Sequence, residues 1–290
     1  GSIYWAKVAR IDAALDAAFI NLDGDNIGIL YNADVRVKDK KGGYKKGGDV
    51  SIGKILQPGQ MVAVQAKSSF MPKVGDEPYS RAEDKNPRLS MNITLPGRYL
   101  IYTPFETENR VSRRIRDKKL RDQMMKMLDN MNDCEGCILR AAAAGAQTDV
   151  LVREGRIQKE AWNQIQEFFT GDKPSLIMMG PDAIQRTISD NAGKRINSLQ
   201  ITTMDHYQAV EEWCEVYAPD LVTKVEPVEL PDQTAELGLF ALHDIIGRIE
   251  ELFQPYTIMG TGSTLIIQDT AAFTAIDVNS AADGRGKLAI

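Results

Sequence analysis

The chain has 290 residues, 43% of them hydrophobic, and a formal net charge of −5 at pH 7. This length is sufficient for one large domain or for two to three smaller ones. No run approaches the roughly 18 apolar residues of a membrane span, and no signal peptide is evident, so we expect a soluble, cytoplasmic protein. The net charge alone does not suggest a nucleic-acid ligand, because the distribution of charge matters more than its sum.

The cysteine and histidine content restricts the chemistry further. Three cysteines, an odd number, argue against a disulfide framework. Cys134 and Cys137 form a single CxxC pair, which we interpret as structural because a zinc site needs four ligands; sharing between chains stays open. Neither His206 nor His243 lies beside a candidate nucleophile, which argues against histidine acid–base catalysis and Ser-His-Asp chemistry.

The first third of the chain predicts strands. Short apolar runs at residues 6–11, 17–22, 28–30, 61–66 and 88–93 are separated by turn residues. This spacing favours a small five-stranded barrel over helices. Phe19 is either a core residue of this barrel or an exposed aromatic on which a base can stack. The glycine-rich basic segment 38–48, with Tyr44 among its lysines, is either solvated surface or a contact for nucleic acid.

The middle of the chain alternates between basic, helical and α/β segments. Residues 110–121 carry seven cations, opposed only by Asp117, and this density indicates either a phosphate-facing stripe or a solvated helix face. Helical spacing predicts helices over residues 117–130 and 149–170. From residue 175 to 253, predicted strands (176–179, 198–202) alternate with predicted helices (183–190, 205–215, 237–253), an α/β pattern.

Two neighbouring strands are predicted near the end of the chain, over residues 264–268 and 273–278. Asp277 and Asn279 lie two residues apart on the second, so they project from the same face. A carboxylate and an amide suit Mg²⁺, and Arg285 within Gly-Arg-Gly offers a guanidinium to a phosphate. The alternative is a strand end whose Asp and Asn turn the chain. Spacing alone does not decide between these interpretations.

Residues 274–281, Thr-Ala-Ile-Asp-Val-Asn-Ser-Ala, resemble the active-site strand of the bacterial ribonuclease E/G family. Upstream stretches around residues 7–22, 95–104, 112–114 and 136–140 resemble the same family in the same order. The resemblance implies an α+β multidomain fold. Its parts are an S1 (OB-fold) RNA-binding barrel over residues 3–95, an α/β 5′-end sensor region over 96–174, an RNase H-like subdomain over 175–253 and the beginning of a DNase I-like nuclease domain over 254–290.

The resemblance also assigns roles to individual residues. Asp277 and Asn279 match residues that hold a catalytic Mg²⁺. The residues expected to contact RNA are Phe19, Lys85, Arg113, Arg114 and, from the Gly-Arg-Gly pattern, Arg285. The residues matching the sensor of the 5′ phosphate are Gly97, Ile101 and Arg140. Two departures from the family pattern are evident: Leu22 and Ile29 replace aromatics, which predicts weaker stacking, and Ala141 replaces a threonine, which predicts relaxed dependence on the 5′ end.

The function implied by the resemblance is Mg²⁺-dependent endonucleolytic cleavage of single-stranded RNA in RNA processing and decay. The products carry 5′-phosphate and 3′-hydroxyl ends, and the full-length protein is expected to form homo-oligomers. The chain stops at Ile290, before a second metal-binding Asp and a zinc-linking CxxC expected from the family, which predicts an inactive or weakly active fragment of a longer enzyme. The alternative is a non-catalytic module that binds single-stranded RNA. A nucleotide-binding α/β enzyme is disfavoured, because no P-loop or G-x-G-x-x-G motif is present.

Overall fold

A computed structural model describes residues 1–39, 43–68, 86–132, 134–231, 237–260, 262–269 and 273–279. These residues form a mixed α+β protein that divides into two compact units. The first unit contains the described residues up to 197 together with residues 210–222. The second contains residues 198–209 and the described residues from 223 onward.

Strands and three helices make up the first unit. Its strands are β1 Ile3–Asp12, β2 Ala17–Asn21, β3 Ile27–Tyr31, β4 Arg36–Lys38, β5 Tyr44–Lys46, β6 Met61–Ala66, β7 Arg88–Ser90, β8 Leu95–Pro96, β9 Leu100–Tyr102, β10 Arg110–Val111, β11 Cys137–Leu139 and β12 Ser175–Met178. Its helices are α1 Lys118–Asp129, α2 Thr148–Glu167 and α3 Ala183–Asp190. Helix α4, Met204–Tyr217, contributes to both units.

The predicted five-stranded barrel is confirmed. Strands β1, β2, β3, β7 and β6 follow one another in the sheet, and β1 pairs antiparallel with both β2 and β6, which closes the ring. Alternate residues of these strands fill the core, including Ala18, Ile20, Leu30 and Val64. This is the pattern expected when one face of each strand is buried. Strand β12 pairs antiparallel with β1 and extends the same sheet.

The remainder of the first unit surrounds a second sheet in the order β10-β11-β9-β8. Helix α1 begins after Asp117, whose side chain accepts a hydrogen bond from the backbone N–H of Leu120 at 3.2 Å and so caps the helix. Met124 and Leu128 on the apolar stripe of α1 are buried in this core. The helices predicted over residues 117–130 and 149–170 are therefore confirmed within a few residues, and the methionines are core residues.

The CxxC pair lies in the same core. Cys134 and Cys137 are fully buried and carry no disulfide. The hydrogen bond that the Cys137 thiol makes to Cys134 and burial both raise the pKa of that thiol. A buried thiol of raised pKa is unreactive, which agrees with the structural interpretation.

The second unit contains a pair of parallel strands and a three-stranded antiparallel sheet. Its elements are β13 Leu199–Ile201, β14 Val225–Pro227, α5 Gly238–Leu242, α6 Ile245–Leu252, β15 Tyr256–Ile258, β16 Thr264–Asp269 and β17 Thr274–Asn279. The single helix predicted over residues 237–253 is wrong. Asp244 adopts the left-handed conformation at φ 53°, which ends α5 before α6 begins. Aspartate tolerates this conformation better than most residues, and apolar spacing does not reveal it.

Among the described residues, no helix is both long enough and apolar enough to cross a membrane.

Candidate functional site

Asp277 and Asn279 lie on the last described strand. Strand β17 pairs antiparallel with β16, which places Asp277 opposite Ile266 and Asn279 opposite Thr264. Both polar side chains are exposed, and the Asn279 amide Nδ2 donates a hydrogen bond to Asp277 Oδ2 at 3.1 Å. The predicted convergence of the two side chains on one face is therefore present.

This pair fits part of a magnesium site. A carboxylate and an amide oxygen are hard ligands, and Mg²⁺ commonly keeps several waters beside one or two protein carboxylates. Within the part of the chain that the structure describes, no group of three or more His, Cys, Asp or Glu side chains could hold a metal ion. The pair thus contributes one carboxylate. Arg285, the predicted phosphate contact beyond it, lies outside the described residues.

The three predicted sensor residues come together in the first unit. They line a cleft with a volume of about 500 Å³. Gly97 and Ile101 come from the β8–β9 hairpin, and Arg140 follows β11. Residues of α2, α3 and α4 and of the segment at the end of β12 complete the lining, and the apolar ones include Ala161, Met178, Met179, Trp213 and Tyr217.

The Arg140 guanidinium is held from two sides. Its Nη1 donates to the carbonyl oxygen of Gly97 at 2.7 Å, and its Nη2 donates to Oδ1 of Asp190 at 2.7 Å. Asp190 is the last residue of α3 and lies 50 residues away from Arg140 in the chain. The adjacent Ala141 begins a short 3₁₀ turn and has no side-chain donor.

A half-buried carboxylate holds the hairpin that lines the cleft. Glu154 on α2 accepts backbone N–H groups of Arg98, Tyr99 and Leu100, the last two at 3.0 Å. Burial raises the pKa of Glu154, although the three N–H groups act in the opposite direction. A side chain at Gly97 would overlap Glu154 Oε1 and Gln158 Nε2. Glycine at position 97 therefore permits the close approach of the hairpin to α2, and a larger residue would have to displace these two side-chain ends.

A second arginine lines the cleft beside the hairpin. Arg98 is 4% exposed and forms a bidentate pair with Asp220, with Nη2 to Oδ2 at 3.1 Å. Burial acts to lower the pKa of Arg98, but the hydrogen bond to Asp220 and the nearby charges, chiefly that of Asp220, together outweigh it and the pKa is raised. The buried Nε of Arg98 and the buried Oε1 of Gln158 make no hydrogen bond within the described part of the chain.

Phe19 belongs to a row of residues that crosses the outside of the barrel. Arg10 on β1 lies opposite Phe19 on β2, Phe19 lies opposite Ile29 on β3, and Ile29 lies opposite Arg88 on β7. The row is at least partly exposed, whereas Leu22 lies in the barrel core. We call these four residues the barrel row. Phe19 is thus not a core residue, and the predicted RNA contact Lys85 lies outside the described residues.

Arginine side chains cover the aromatic rings of this surface. The Arg10 guanidinium carbon lies 3.6 Å from the centroid of the Phe19 ring, and the Arg88 guanidinium carbon lies 5.6 Å from that of Tyr31. Arg88 is also paired with Asp34 at 2.7 Å. The barrel row therefore combines apolar surface with cations, the two components that bind a single-stranded nucleic acid.

Arg113 and Arg114 are exposed in the connection between β10 and α1. Arg110, at the start of this basic segment, is paired with Glu106. Tyr44 of the glycine-rich segment packs on Phe105, with the ring centroids 4.5 Å apart. Tyr44 thus has a structural partner, whereas Arg113 and Arg114 are presented to solvent.

Sequence reasoning missed several residues of these surfaces. An arginine in a predicted strand favours an exposed position, a signal available before the structure, but strict alternation would place Arg10 with the buried Ala6 and Val8. The register shift between Val8 and Arg10 brings it to the outside. No comparable signal marks Glu154, Asp190 or Asp220, because each is brought to its partner by tertiary packing across 50 or more residues.

Comparison with known proteins identifies the class to which this fold and these surfaces belong. A family model described as the Ribonuclease E/G family matches residues 94–288. Because that match covers more than half of the chain, the chain belongs to the Ribonuclease E/G family, as the resemblance predicted.

Individual relatives are distant but match along nearly the whole chain. Ribonuclease G of Escherichia coli is 27% identical over 287 residues, covering 97% of this chain and 55% of that protein. Ribonuclease E of Haemophilus influenzae is 27% identical over 289 residues, covering 98% and 29%. Ribonuclease E of a Nostoc species is 26% identical over 296 residues, covering 100% and 40%. The chain thus spans about half the length of the Ribonuclease G proteins that it matches.

Proposed function

We propose that the chain forms part of a Mg²⁺-dependent endoribonuclease that cleaves single-stranded RNA in RNA processing and decay, leaving 5′-phosphate and 3′-hydroxyl ends. The observation that carries the proposal is the Asp277–Asn279 pair, exposed on one face of β17 inside the region matched by the family model. The closed barrel is consistent with an S1 domain. The sensor region, the RNase H-like subdomain and the beginning of a DNase I-like domain belong to the same proposal.

Asp277 and Asn279 would hold the magnesium ion. When bound, the ion supplies Lewis-acid polarisation of the scissile phosphate and a lower pKa for a coordinated water. Asp277 provides the charged ligand, and the hydrogen bond from Asn279 orients its carboxylate. Because affinity for the ion rises with the charge of the ligand set, one carboxylate at this face implies weak binding. We therefore expect the 290-residue chain by itself to be inactive or weakly active.

The barrel and the basic segment would hold the substrate. Bases stack on the barrel row at Phe19, while Arg10 and Arg88 lie where they can neutralise phosphates. Arg113 and Arg114 extend the positive surface after β10. Lys85 and Arg285 remain proposed RNA contacts from the resemblance.

The cleft at Gly97, Ile101 and Arg140 would receive the 5′ end of the RNA. A guanidinium suits a terminal phosphate because its fork donates parallel hydrogen bonds to two oxygens. Ile101 offers an apolar wall, and Gly97 contributes its backbone to the lining. Asp190 already occupies one donor of Arg140.

Cleavage of a short, A/U-rich, 5′-monophosphorylated single-stranded RNA tests the proposal. The 290-residue chain and the full-length gene product are assayed side by side with and without Mg²⁺. Asp277→Asn removes the proposed ligand, and Glu250→Gln, an exposed acid on α6 of the same unit, is the matched control. The proposal requires Mg²⁺-dependent cleavage that Asp277→Asn abolishes and Glu250→Gln preserves.

The second candidate is a non-catalytic module for single-stranded RNA. It is favoured by the single carboxylate that the described residues place beside Asn279 on the β17 face. RNA binding without cleavage by either protein would select it over the nuclease.

A further inference from the structure

Every arginine that lines the cleft already has an acceptor within the protein. Arg98 is bound by Asp220, Arg186 donates from Nε to the carbonyl oxygen of Pro181 at 2.9 Å, and Arg140 donates to Gly97 and Asp190. Two carboxylates, Glu154 and Asp190, also line the cleft. An incoming anion therefore meets arginines that each already donate to the protein, with two carboxylates among them, rather than an open cluster of cations.

Asp190 pairs with Arg140 at a position that is unfavourable for a carboxylate. It is the last residue of α3, where the negative end of the helix dipole disfavours an acidic side chain. The Arg140 side chain is 22% exposed and that of Asp190 is 69% exposed, so the carboxylate is the outer member of the pair. A phosphate approaching Arg140 from solvent must displace this carboxylate or share the guanidinium with it.

The rest of the cleft favours a neutral group. Its walls include Ile101, Met178 and Trp213, and Ala141 beside Arg140 supplies no hydroxyl donor. A nucleoside that ends in a 5′-hydroxyl can fill this space and leave the Arg140–Asp190 pair intact.

We propose that Asp190 is an internal competitor for the anion-binding face of Arg140, so that the cleft accepts RNA with a 5′-hydroxyl about as well as RNA with a 5′-monophosphate. The inference rests on the proposed function, in which the 5′ end enters the cleft. A dianionic phosphate gains hydrogen bonds from the Arg140 guanidinium, but the displaced Asp190 carboxylate remains close and repels it. A 5′-hydroxyl can instead donate a hydrogen bond to Asp190.

The test compares the affinities of two RNAs for the full 290-residue chain. Single-stranded oligoribonucleotides of one sequence carry a 3′ fluorophore and either a 5′-hydroxyl or a 5′-monophosphate, and anisotropy is measured in EDTA at fixed salt. The wild type should bind them within about twofold of each other. Asp190→Asn should tighten the 5′-monophosphate complex about three- to fivefold, the scale of an exposed ion pair, and leave the 5′-hydroxyl complex unchanged.

Two further variants complete the test. Glu167→Gln makes the same change of charge at the last residue of α2, and should leave both affinities unchanged. Adding Arg140→Gln to Asp190→Asn should remove the gain for the 5′-monophosphate. Circular dichroism of each variant verifies that it is folded.

An unchanged ratio of affinities in Asp190→Asn would overturn the inference, as would equal tightening of both RNAs. Those results leave the proposed function standing, because RNA still binds. If neither RNA binds any variant, the proposed function fails and the inference falls with it.

Discussion

The Asp277–Asn279 pair and the cleft around Arg140 are built in opposite ways. The pair comes from one strand, and its two side chains are hydrogen-bonded to each other across a single intervening residue. The cleft takes lining residues from the β8–β9 hairpin, the end of β11, and helices α2, α3 and α4. Because Asp277 and Asn279 are neighbours on one strand, their arrangement should tolerate changes in packing elsewhere in the chain. Chemistry at the cleft depends on partners, Glu154 and Asp190, that only the folded chain supplies.

The largest effect is expected on the cleavage rate, at the Asp277–Asn279 pair. Asp277→Asn removes the one carboxylate of the pair, and the loss of several kcal/mol of metal-derived stabilisation corresponds to at least a ~100-fold slower cleavage. Single-turnover cleavage of RNA by the full-length product at saturating Mg²⁺ measures this. RNA affinity should stay unchanged, because the barrel row and the cleft lie on other elements. Cleavage at the wild-type rate would show that the pair does not hold the metal.

The next largest effect is expected on the free energy of unfolding, when Glu154, which holds the hairpin of the cleft, is replaced. Glu154→Ala leaves three buried backbone N–H groups without their acceptor, and we expect the free energy of unfolding to fall by about 2–4 kcal/mol. Urea denaturation followed by circular dichroism measures the change. Glu160→Ala, an exposed glutamate on the same helix, is the control and should cost little. Equal stability of the two variants would contradict the role assigned to Glu154.

The same carboxylate predicts a dependence of stability on pH. Burial raises the pKa of Glu154 in the folded state above its value in the unfolded chain. The folded state therefore binds the Glu154 proton more tightly than the unfolded chain does. The stability that this adds is fully present below the unfolded pKa and is lost as pH rises through the folded pKa. In Glu154→Gln this loss should disappear from a series of urea titrations between mildly acid and neutral pH. A slope that persists in the variant would assign the effect to another group.

The barrel row lies between the two extremes, since its residues come from four strands held in register. Phe19→Ala should weaken binding of single-stranded RNA by about 1–3 kcal/mol, the contribution of one stacked base. Arg10→Ala should weaken the same RNA binding by about 0.5–1 kcal/mol, because it removes the guanidinium that covers the Phe19 ring at an exposed position. Phe168→Ala, an exposed aromatic after α2, is the control. Unchanged affinity in Phe19→Ala, measured by anisotropy, would remove the barrel row from the binding surface.

The smallest effect is expected at Ala141. Ala141→Thr adds a hydroxyl donor beside Arg140 and should improve binding of 5′-monophosphorylated RNA by about threefold, the worth of one modest hydrogen bond. The gain should be larger when Asp190→Asn has freed the guanidinium. Anisotropy with both variants and their combination measures the coupling. Strictly additive changes in binding free energy would show that positions 141 and 190 act independently, which would contradict the view of the cleft as one binding unit.

Much of the fold could be predicted because periodic patterns act locally. Short apolar runs separated by turn residues identified the strands of the barrel, and helical spacing located α1, α2 and α3. Spacing failed at residues 237–253, where the left-handed Asp244 separates two helices that share one apolar pattern. It also gave no indication that β12 pairs with β1, because a strand's own residues do not name its partner.

By itself, the sequence determined the family, the barrel and the convergence of Asp277 with Asn279, because strand geometry sets where residues two apart project. Only the tertiary structure decided that Gly97, Ile101 and Arg140 share a cleft. It also decided that Asp190 neutralises Arg140 and that Arg10 covers Phe19. These pairings depend on the packing of elements and on the register of strands. A sequence specifies them only through the folded chain as a whole, since the contacts join residues that no local rule connects.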